Sequence, residues 1–133
     1  MPFTTFIDNK ALGYLFGQTV WTQATLYFAL STTTPTGDGS NFTEPSTGAY
    51  GRVSYTNNAA GWANPPASKT TSNKAIIQFP TATGSWGTVT YFGIFDASTA
   101  GNCLAYAALA ASKTIGNGDT ASFAVDALTI TLN

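Results

Sequence analysis

Residues 79–109 constrain the fold more than any other stretch of the chain, because they read as two strands joined by one turn. The first strand is largely apolar on both faces, with Val89, Tyr91, Gly93 and Phe95 on one and Thr90, Phe92 and Ile94 on the other. A strand of this kind belongs inside a packed sheet. The turn formers DASTAGN separate it from a return strand over 103–107, which predicts an antiparallel hairpin with a longer loop.

This hairpin is the predicted centre of the hydrophobic core. Gly93 leaves a gap on its face of the strand, and we expect a large side chain from a facing sheet to fill it. Cys103 is the one cysteine of the chain, and its place in the return strand predicts a buried, inert thiol. The residues assigned to the core and to the motif around it are Trp86, Gly87, Phe92, Gly93, Phe95, Asp96 and Tyr106.

The rest of the chain predicts further strands separated by two long loops. The predicted strands cover residues 25–31, 50–57, 75–79, 120–125 and 127–132. The loops cover 32–48 and 57–73, and Trp62 in the second is expected to anchor that loop to the core. Six or seven strands with one short helix describe an all-β fold, an antiparallel β-sandwich or jelly-roll-like domain.

We expect a single domain over 1–133, in which residues 1–24 form an N-terminal arm and 25–133 a β-rich body. The arm contains the predicted helix, over 8–17, which Asp8 would cap and Gly17 would end. Its apolar stripe consists of Ala11, Leu12, Leu15 and Phe16, and it needs a dock on the protein's own sheet or on a neighbouring subunit. The candidate interface residues are Phe3, Phe6, Leu12, Leu15, Phe16 and Trp21.

Charged residues are unusually rare in this chain. They make up 8% of it, against about 25% in ordinary soluble domains. With a net charge of −1, the surface suits a protein packed into an assembly or a secreted β-domain. Five scattered Lys and Arg residues form no basic patch for nucleic acid. No stretch of 18 apolar residues predicts a membrane span, and the N-terminus shows no secretory signal.

The residue types available for catalysis are few. Without histidine, the chain has no Ser–His or Cys–His pair and lacks the commonest metal ligand. The acids are predicted to be turn formers, with a carboxylate glycosidase as the alternative. These acids are Asp38, Glu44, Asp96, Asp119 and Asp126. We expect no enzyme, no cofactor and no metal.

Two binding alternatives remain open. Asp38, Asn41 and Glu44 share one loop and offer oxygen ligands for calcium, although their spacing differs from the helix–loop–helix calcium motif. Aromatic residues offer a surface for sugars, although core and loop-anchor roles are the favoured interpretation. These aromatics are Tyr50, Tyr55, Trp62 and Trp86.

The order of several segments resembles small structural proteins of tailed bacteriophages. The segments are KALGYLFGQT, ATLYFALSTTTPTGDG, TEPSTGAYGRV, IIQFPTATGSWGTVTYFGIFDASTAGNCLAYAAL, IGNGDTASF and ALTITL, which span nearly the whole chain. The most distinctive are TEPSTGAYGRV and SWGTVTYFGIFDA. Proteins that look like this are virion components described as head decoration (cement) proteins or as tail-fibre proteins. The resemblance implies no catalytic residues.

Between these two roles, the sequence favours capsid decoration. A fibre subunit usually needs a shaft, a coiled coil or a β-repeat, and the chain shows none. We therefore expect a homo-oligomer, most simply a trimer, that binds the major capsid protein or other virion subunits and stabilises the head shell. It would be found in the virion, assembled in the host cytoplasm. The alternative is a tail or tail-fibre component, or a receptor- or carbohydrate-binding module.

Overall fold

A computed structural model describes residues 3–63 and 69–131 of the chain. Within these ranges it contains one helix and eight strands. The elements are α1 (Thr5–Leu15), β1 (Thr25–Ser31), β2 (Val53–Thr56), β3 (Thr70–Ser72), β4 (Ile77–Gln78), β5 (Gly87–Phe95), β6 (Cys103–Ile115), β7 (Ser122–Phe123) and β8 (Thr129–Thr131). All the strand pairs are antiparallel. The prediction of an all-β antiparallel sandwich with one N-terminal helix is confirmed.

The main sheet has four strands in the order β2-β1-β5-β6, and it faces two short two-stranded ladders, β3–β8 and β4–β7. One core cluster joins these layers, because side chains from the main sheet pack with Ile77 of β4 and Leu128 just before β8. Phe28 of β1 is fully buried in this cluster. Burial of the inner face of the main sheet therefore holds the sandwich together.

The predicted central hairpin is confirmed as β5 and β6. Its turn is closed by Asp96, whose carboxylate accepts hydrogen bonds from the backbone N–H of Asn102 at 2.7 Å and from its side-chain amide at 2.8 Å. The return strand runs on to Ile115, well past the predicted end near residue 107. Its second half, beyond Ala107, is mostly exposed, so the core pattern used to find the strand ends before the strand does.

The predicted face of Val89 is wrong. The sequence placed it with Tyr91, Gly93 and Phe95, but in the structure it packs in the cluster that contains Phe92 and Ile94. The reason is an irregularity in the ladder, where Val89 pairs with Lys113 and Tyr91 with Ala108. Thr90 alone therefore faces four residues of β6, and strict alternation of faces breaks at this point.

The gap beside Gly93 is filled from a loop rather than from a facing sheet. A Cβ at Gly93 would lie 2.5 Å from Cε2 of Phe42, which belongs to the long loop after β1. The Phe42 ring also makes an edge contact with Phe95, with 5.0 Å between centroids. The loop thus covers the outer face of the main sheet, where Ala29, Phe95 and Cys103 form a second buried cluster.

The helix begins earlier than predicted. It starts at Thr5, with Thr4 as its N-cap residue, so Asp8 lies inside the first turn and is not the cap. The Thr4 side chain makes no capping bond. Its hydroxyl donates instead to the Cys103 carbonyl at 2.6 Å, while its backbone N–H donates to the Leu104 carbonyl at 2.9 Å. Gly17 follows the helix with φ +70°, which suits its predicted role at the helix end.

The remaining strands are shorter than predicted. The structure begins the predicted strand 50–57 at Val53 and limits the predicted strand 75–79 to two residues. It also places β3 inside the predicted loop 57–73. The predicted strands 120–125 and 127–132 contain β7 and β8, which pair with β4 and β3 and not with each other. Residue 132 lies outside the described residues.

Candidate assembly surface

The turn from α1 into the following segment presents an exposed apolar surface, which we call the knob, residues 12–20. Its large apolar side chains are between 56% and 84% exposed. They are Leu12, Tyr14, Leu15, Phe16 and Val20. Only two other large apolar side chains of the described residues, Ile76 and Val125, are similarly exposed. Exposed apolar surface that is concentrated in this way marks an interaction site.

The six predicted interface residues separate into two groups. Leu12, Leu15 and Phe16 belong to the knob and are exposed. Phe6 and Trp21 are half-buried and pack against the main core, with an edge contact between their rings at 6.5 Å. Phe3 is half-buried and forms a β-bridge with Ala105 at the edge of β6. The predicted stripe therefore does not dock on the protein's own sheet. The candidate interface residues predicted from the sequence did not include Tyr14 and Val20.

A groove of about 480 Å³ is lined in part by Trp21, which directly follows the knob in the chain. We call it the tryptophan groove, because Trp21 and Trp62 both line it, together with core side chains such as Ile94 and Leu104. None of the described residues that line it is charged. Ile7, in the first half of α1, also contributes to its wall. The groove therefore offers an apolar cavity of the size that proteins use for ligands or for inserted side chains.

Most of the side-chain polar groups of the tryptophan groove are already engaged within the protein. The Trp62 indole N–H donates to Oδ1 of Asn57 at 2.9 Å, and the Asn57 amide donates to the Gln23 carbonyl at 2.7 Å. The Trp62 ring also packs against Tyr55 at 5.1 Å between centroids. The Thr71 hydroxyl donates to the Ala63 carbonyl at 2.9 Å. The predicted anchoring role of Trp62 is confirmed, and the indole is held as a fixed wall of the groove.

A second groove, of about 580 Å³, lies between the irregular part of the β5–β6 ladder and the segment before β7. Its lining includes Leu109, Ala110 and Phe123, and it also contains Lys113 and Asp119. The Asp119 carboxylate accepts a hydrogen bond from the backbone N–H of Gly116 at 2.8 Å, so it closes the predicted turn. This groove is more polar than the tryptophan groove, and one of its two charged groups is occupied in the turn.

The prediction that Glu44 is a turn former is wrong, because it forms an ion pair with Arg52. The guanidinium donates to both carboxylate oxygens, at 3.0 and 2.7 Å, and its side chain is only 6% exposed. It also donates to the carbonyls of Ala97 and Ala100 and stacks on Phe95, 3.8 Å from the ring centroid. Arg52 therefore ties the long loop after β1 to the β5–β6 turn.

The Tyr50 hydroxyl extends this ion pair toward the main sheet. It donates to Oε1 of Glu44 at 2.7 Å and accepts from the backbone N–H of Leu30 at 3.0 Å. Burial raises the pKa of the Tyr50 phenol above its ordinary value, and the neighbouring Glu44 carboxylate reinforces this. The segment TEPSTGAYGRV contains Glu44, Tyr50 and Arg52, so one of the two most distinctive segments of the sequence builds this network.

The three oxygen-bearing residues considered for calcium are engaged with different partners. Hydrogen bonds from Thr36 and Ser40 lower the pKa of Asp38 to about 2. The Asn41 amide donates to the Thr34 carbonyl, and Glu44 binds Arg52. Within 3–63 and 69–131 the structure shows no group of three or more His, Cys, Asp or Glu residues that would hold a metal ion. The geometry therefore gives no support to the calcium alternative.

The remaining predicted side chains serve the interior or its turns. Trp86 is buried and its indole donates to the Gly48 carbonyl at 2.8 Å, while Tyr50 packs edge-on against it. Burial raises the pKa of the Cys103 thiol to about 11. Hydrogen bonds from Lys74 and then from Ser72 lower the pKa of Asp126. These groups are held by internal partners and do not converge with one another on a cleft.

Comparison with known families bears on the role of this protein. A family model described as Podophage GP4 fiber I protein gp80 matches residues 2–131. The chain belongs to this family. No curated protein matches it. The predicted resemblance to virion structural proteins of tailed phages is confirmed, and the family's description favours the fibre alternative over the decoration role.

The residues matched by the family model include both the knob and the tryptophan groove. The chain is thus a phage structural protein, and its place is the virion. No helix in the described parts of the chain is long and apolar enough to cross a membrane.

Proposed function

We propose that this protein is a structural subunit of the fibre apparatus of a podophage virion. In this role it acts by packing against other virion proteins and carries no catalytic activity. The observation that carries the proposal is the knob, which exposes five large apolar side chains on a protein with 8% charged residues. A surface of this composition gains stability when a neighbouring subunit covers it.

The family description supports the fibre location. The absence of a repeat or a coiled-coil pattern in the sequence argues against a shaft made of this chain alone. The sandwich then serves as a rigid block within the fibre apparatus. The Arg52 network fixes its loops, and the knob supplies the contact with the next component.

Immunogold labelling of intact phage particles with antibodies raised against the purified protein tests the location. We expect label on the fibres and none over the head shell. Label distributed over the head would overturn the fibre assignment and favour the decoration role. A particle assembled with Leu15→Asp in this protein is expected to lose the label, whereas Val125→Asp, an exposed aliphatic outside the knob, is expected to retain it.

A further inference from the structure

The knob is held together by hydrogen bonds within residues 12–20. The backbone N–H groups of Gln18 and Thr19 donate to the Gly13 carbonyl at 2.8 and 3.2 Å, so the chain folds back directly after α1. Gly13 is the buried residue of the helix, and a Cβ at this position would lie 2.5 Å from Oγ1 of Thr19. The segment after the helix therefore packs tightly against it, and the apolar side chains point outward from a preformed unit.

The tryptophan groove is complementary to the knob in polarity. Residues 12–20 contain no charged side chain, and none of the described lining of the groove is charged. The lining is predominantly apolar, and the Asn57, Trp62 and Thr71 polar groups are already paired. A sugar would find few free partners for its hydroxyls there, whereas an apolar side chain needs none.

Within one molecule the knob does not fill the tryptophan groove. Ile7 and Trp21 line the groove and flank the knob along the chain, while Leu15 and Phe16 remain 72% and 68% exposed. An exposed apolar segment and an apolar groove on the same protein, neither of them covered by residues 3–63 or 69–131, are the elements of contact between identical subunits. The net charge of −1 leaves little electrostatic repulsion between copies.

We propose that the knob of one copy inserts Leu15 and Phe16 into the tryptophan groove of a second copy. This inference rests on the proposed structural role and names the partner of its surface. The two tryptophans provide rigid walls, and the inserted side chains fill the cavity of about 480 Å³. Large side chains seated in a desolvated pocket dominate the free energy of such interfaces. The proposed contact contains no ion pair, so we expect its affinity to change little with salt concentration.

Analytical ultracentrifugation of the purified full chain tests this contact. We expect wild-type protein to sediment as an oligomer at micromolar concentration. Leu15→Asp in the knob and, separately, Ala59→Glu in the exposed rim of the groove should each weaken association about 30-fold or more. The matched control is Val125→Asp, which places the same charge on an exposed aliphatic position elsewhere and should leave the oligomer intact.

Mixing the two interface variants gives the decisive result. The Leu15→Asp protein keeps an intact groove and the Ala59→Glu protein keeps an intact knob, so a mixture is expected to form one-to-one dimers although neither variant associates alone. A monomeric wild-type protein, an unaffected Leu15→Asp oligomer, or a mixture without dimers would each overturn the inference. Circular dichroism spectra that match wild type establish that both variants are folded.

The outcome is separable from the fibre assignment. A monomeric protein that still labels the fibres in immunogold images would leave the fibre role standing and remove the contact between copies. If the protein forms an oligomer that depends on the knob but labels the head, the contact between copies would stand and the fibre assignment would be overturned.

Discussion

The loop after β1 and the helix at the N-terminus differ in how firmly their side chains are packed against the rest of the protein. Residues 32–48 contain no strand or helix, yet the loop is fixed by the Phe42 contact, the Arg52–Glu44 ion pair and the Asp38 turn. Helix α1 is regular, but its last turn presents Leu12 and Leu15 to solvent. Irregular backbone here is fixed to the body of the protein, whereas regular backbone carries exposed apolar side chains, the surface that we propose for assembly.

The Arg52–Glu44 ion pair, with side chains 6% and 25% exposed, should be the most sensitive element on the loop side of this comparison. Arg52→Ala leaves the Glu44 carboxylate without its partner and frees the carbonyls of Ala97 and Ala100, so we expect a loss of about 3–5 kcal/mol in the free energy of unfolding. Chemical denaturation measures it. The control is Lys74→Ala, which removes the exposed pair with Asp126 and should cost far less, because water screens that pair. Equal losses in the two variants would contradict the assigned importance of Arg52.

The contact between Phe42 and Gly93 should have the next largest effect. Gly93→Ala introduces a Cβ that would lie 2.5 Å from the Phe42 ring, which is expected to cost about 1–3 kcal/mol of stability by overpacking. Thermal or chemical denaturation gives the value. In a Phe42→Leu background the same substitution should cost less, with a coupling of at least about 0.5 kcal/mol. Additive losses would show that the loop ring does not occupy the gap.

The Asp38 turn predicts a pH dependence that is confined to acid. Hydrogen bonds from Thr36 and Ser40 hold the pKa at about 2, below the value of about 3.9 expected in an unfolded chain. The folded state therefore gains stability above about pH 4, and this contribution is lost as the pH falls toward 2. We expect Asp38→Asn to show a smaller decrease in Tm between pH 4 and pH 2 than wild type. The lowered pKa of Asp126 leaves some decrease in both proteins.

The smallest effect on stability is expected in the knob. Leu15→Ala removes an exposed side chain and should change the free energy of unfolding of the monomer by less than about 0.5 kcal/mol. The matched substitution Leu30→Ala, at a position that is 2% exposed, should cost about 2–5 kcal/mol. Chemical denaturation at a concentration where the protein is monomeric gives the free energy of unfolding of both variants. A large loss for Leu15→Ala would place the knob among the structural elements.

The local sequence pattern was enough to predict the hairpin and the sandwich, because a strand that is apolar on both faces must lie inside a sheet that is covered on both sides. The position of Trp62 likewise predicted an anchor. The face of Val89 was not predictable, since the irregular pairing that shifts it depends on how β6 meets β5. The β7 and β8 pairings are two and three residues long, so tertiary contacts rather than alternation set their partners.

The candidate site was predictable only in part. Leu12, Leu15 and Phe16 follow helical spacing, so the sequence could show that they share a face but not that the face is left uncovered. Glu44 and Arg52 are eight residues apart in a segment without periodicity, and only the folded loop brings them together. The tryptophan groove joins residues from both ends of the chain, and no local signal indicates it.

The irregularity between β5 and β6 has a practical consequence. Gly87–Val89 and Tyr91–Phe95 are each paired with β6 independently, and only Thr90 faces the four-residue excursion 109–112. Extra residues added to that excursion would leave both halves of the ladder in register. A fluorophore or a peptide tag placed there would report the position of this subunit in the particle. The insertion site is far from the knob in the sequence, so the tag is expected to leave the proposed contact surface unchanged.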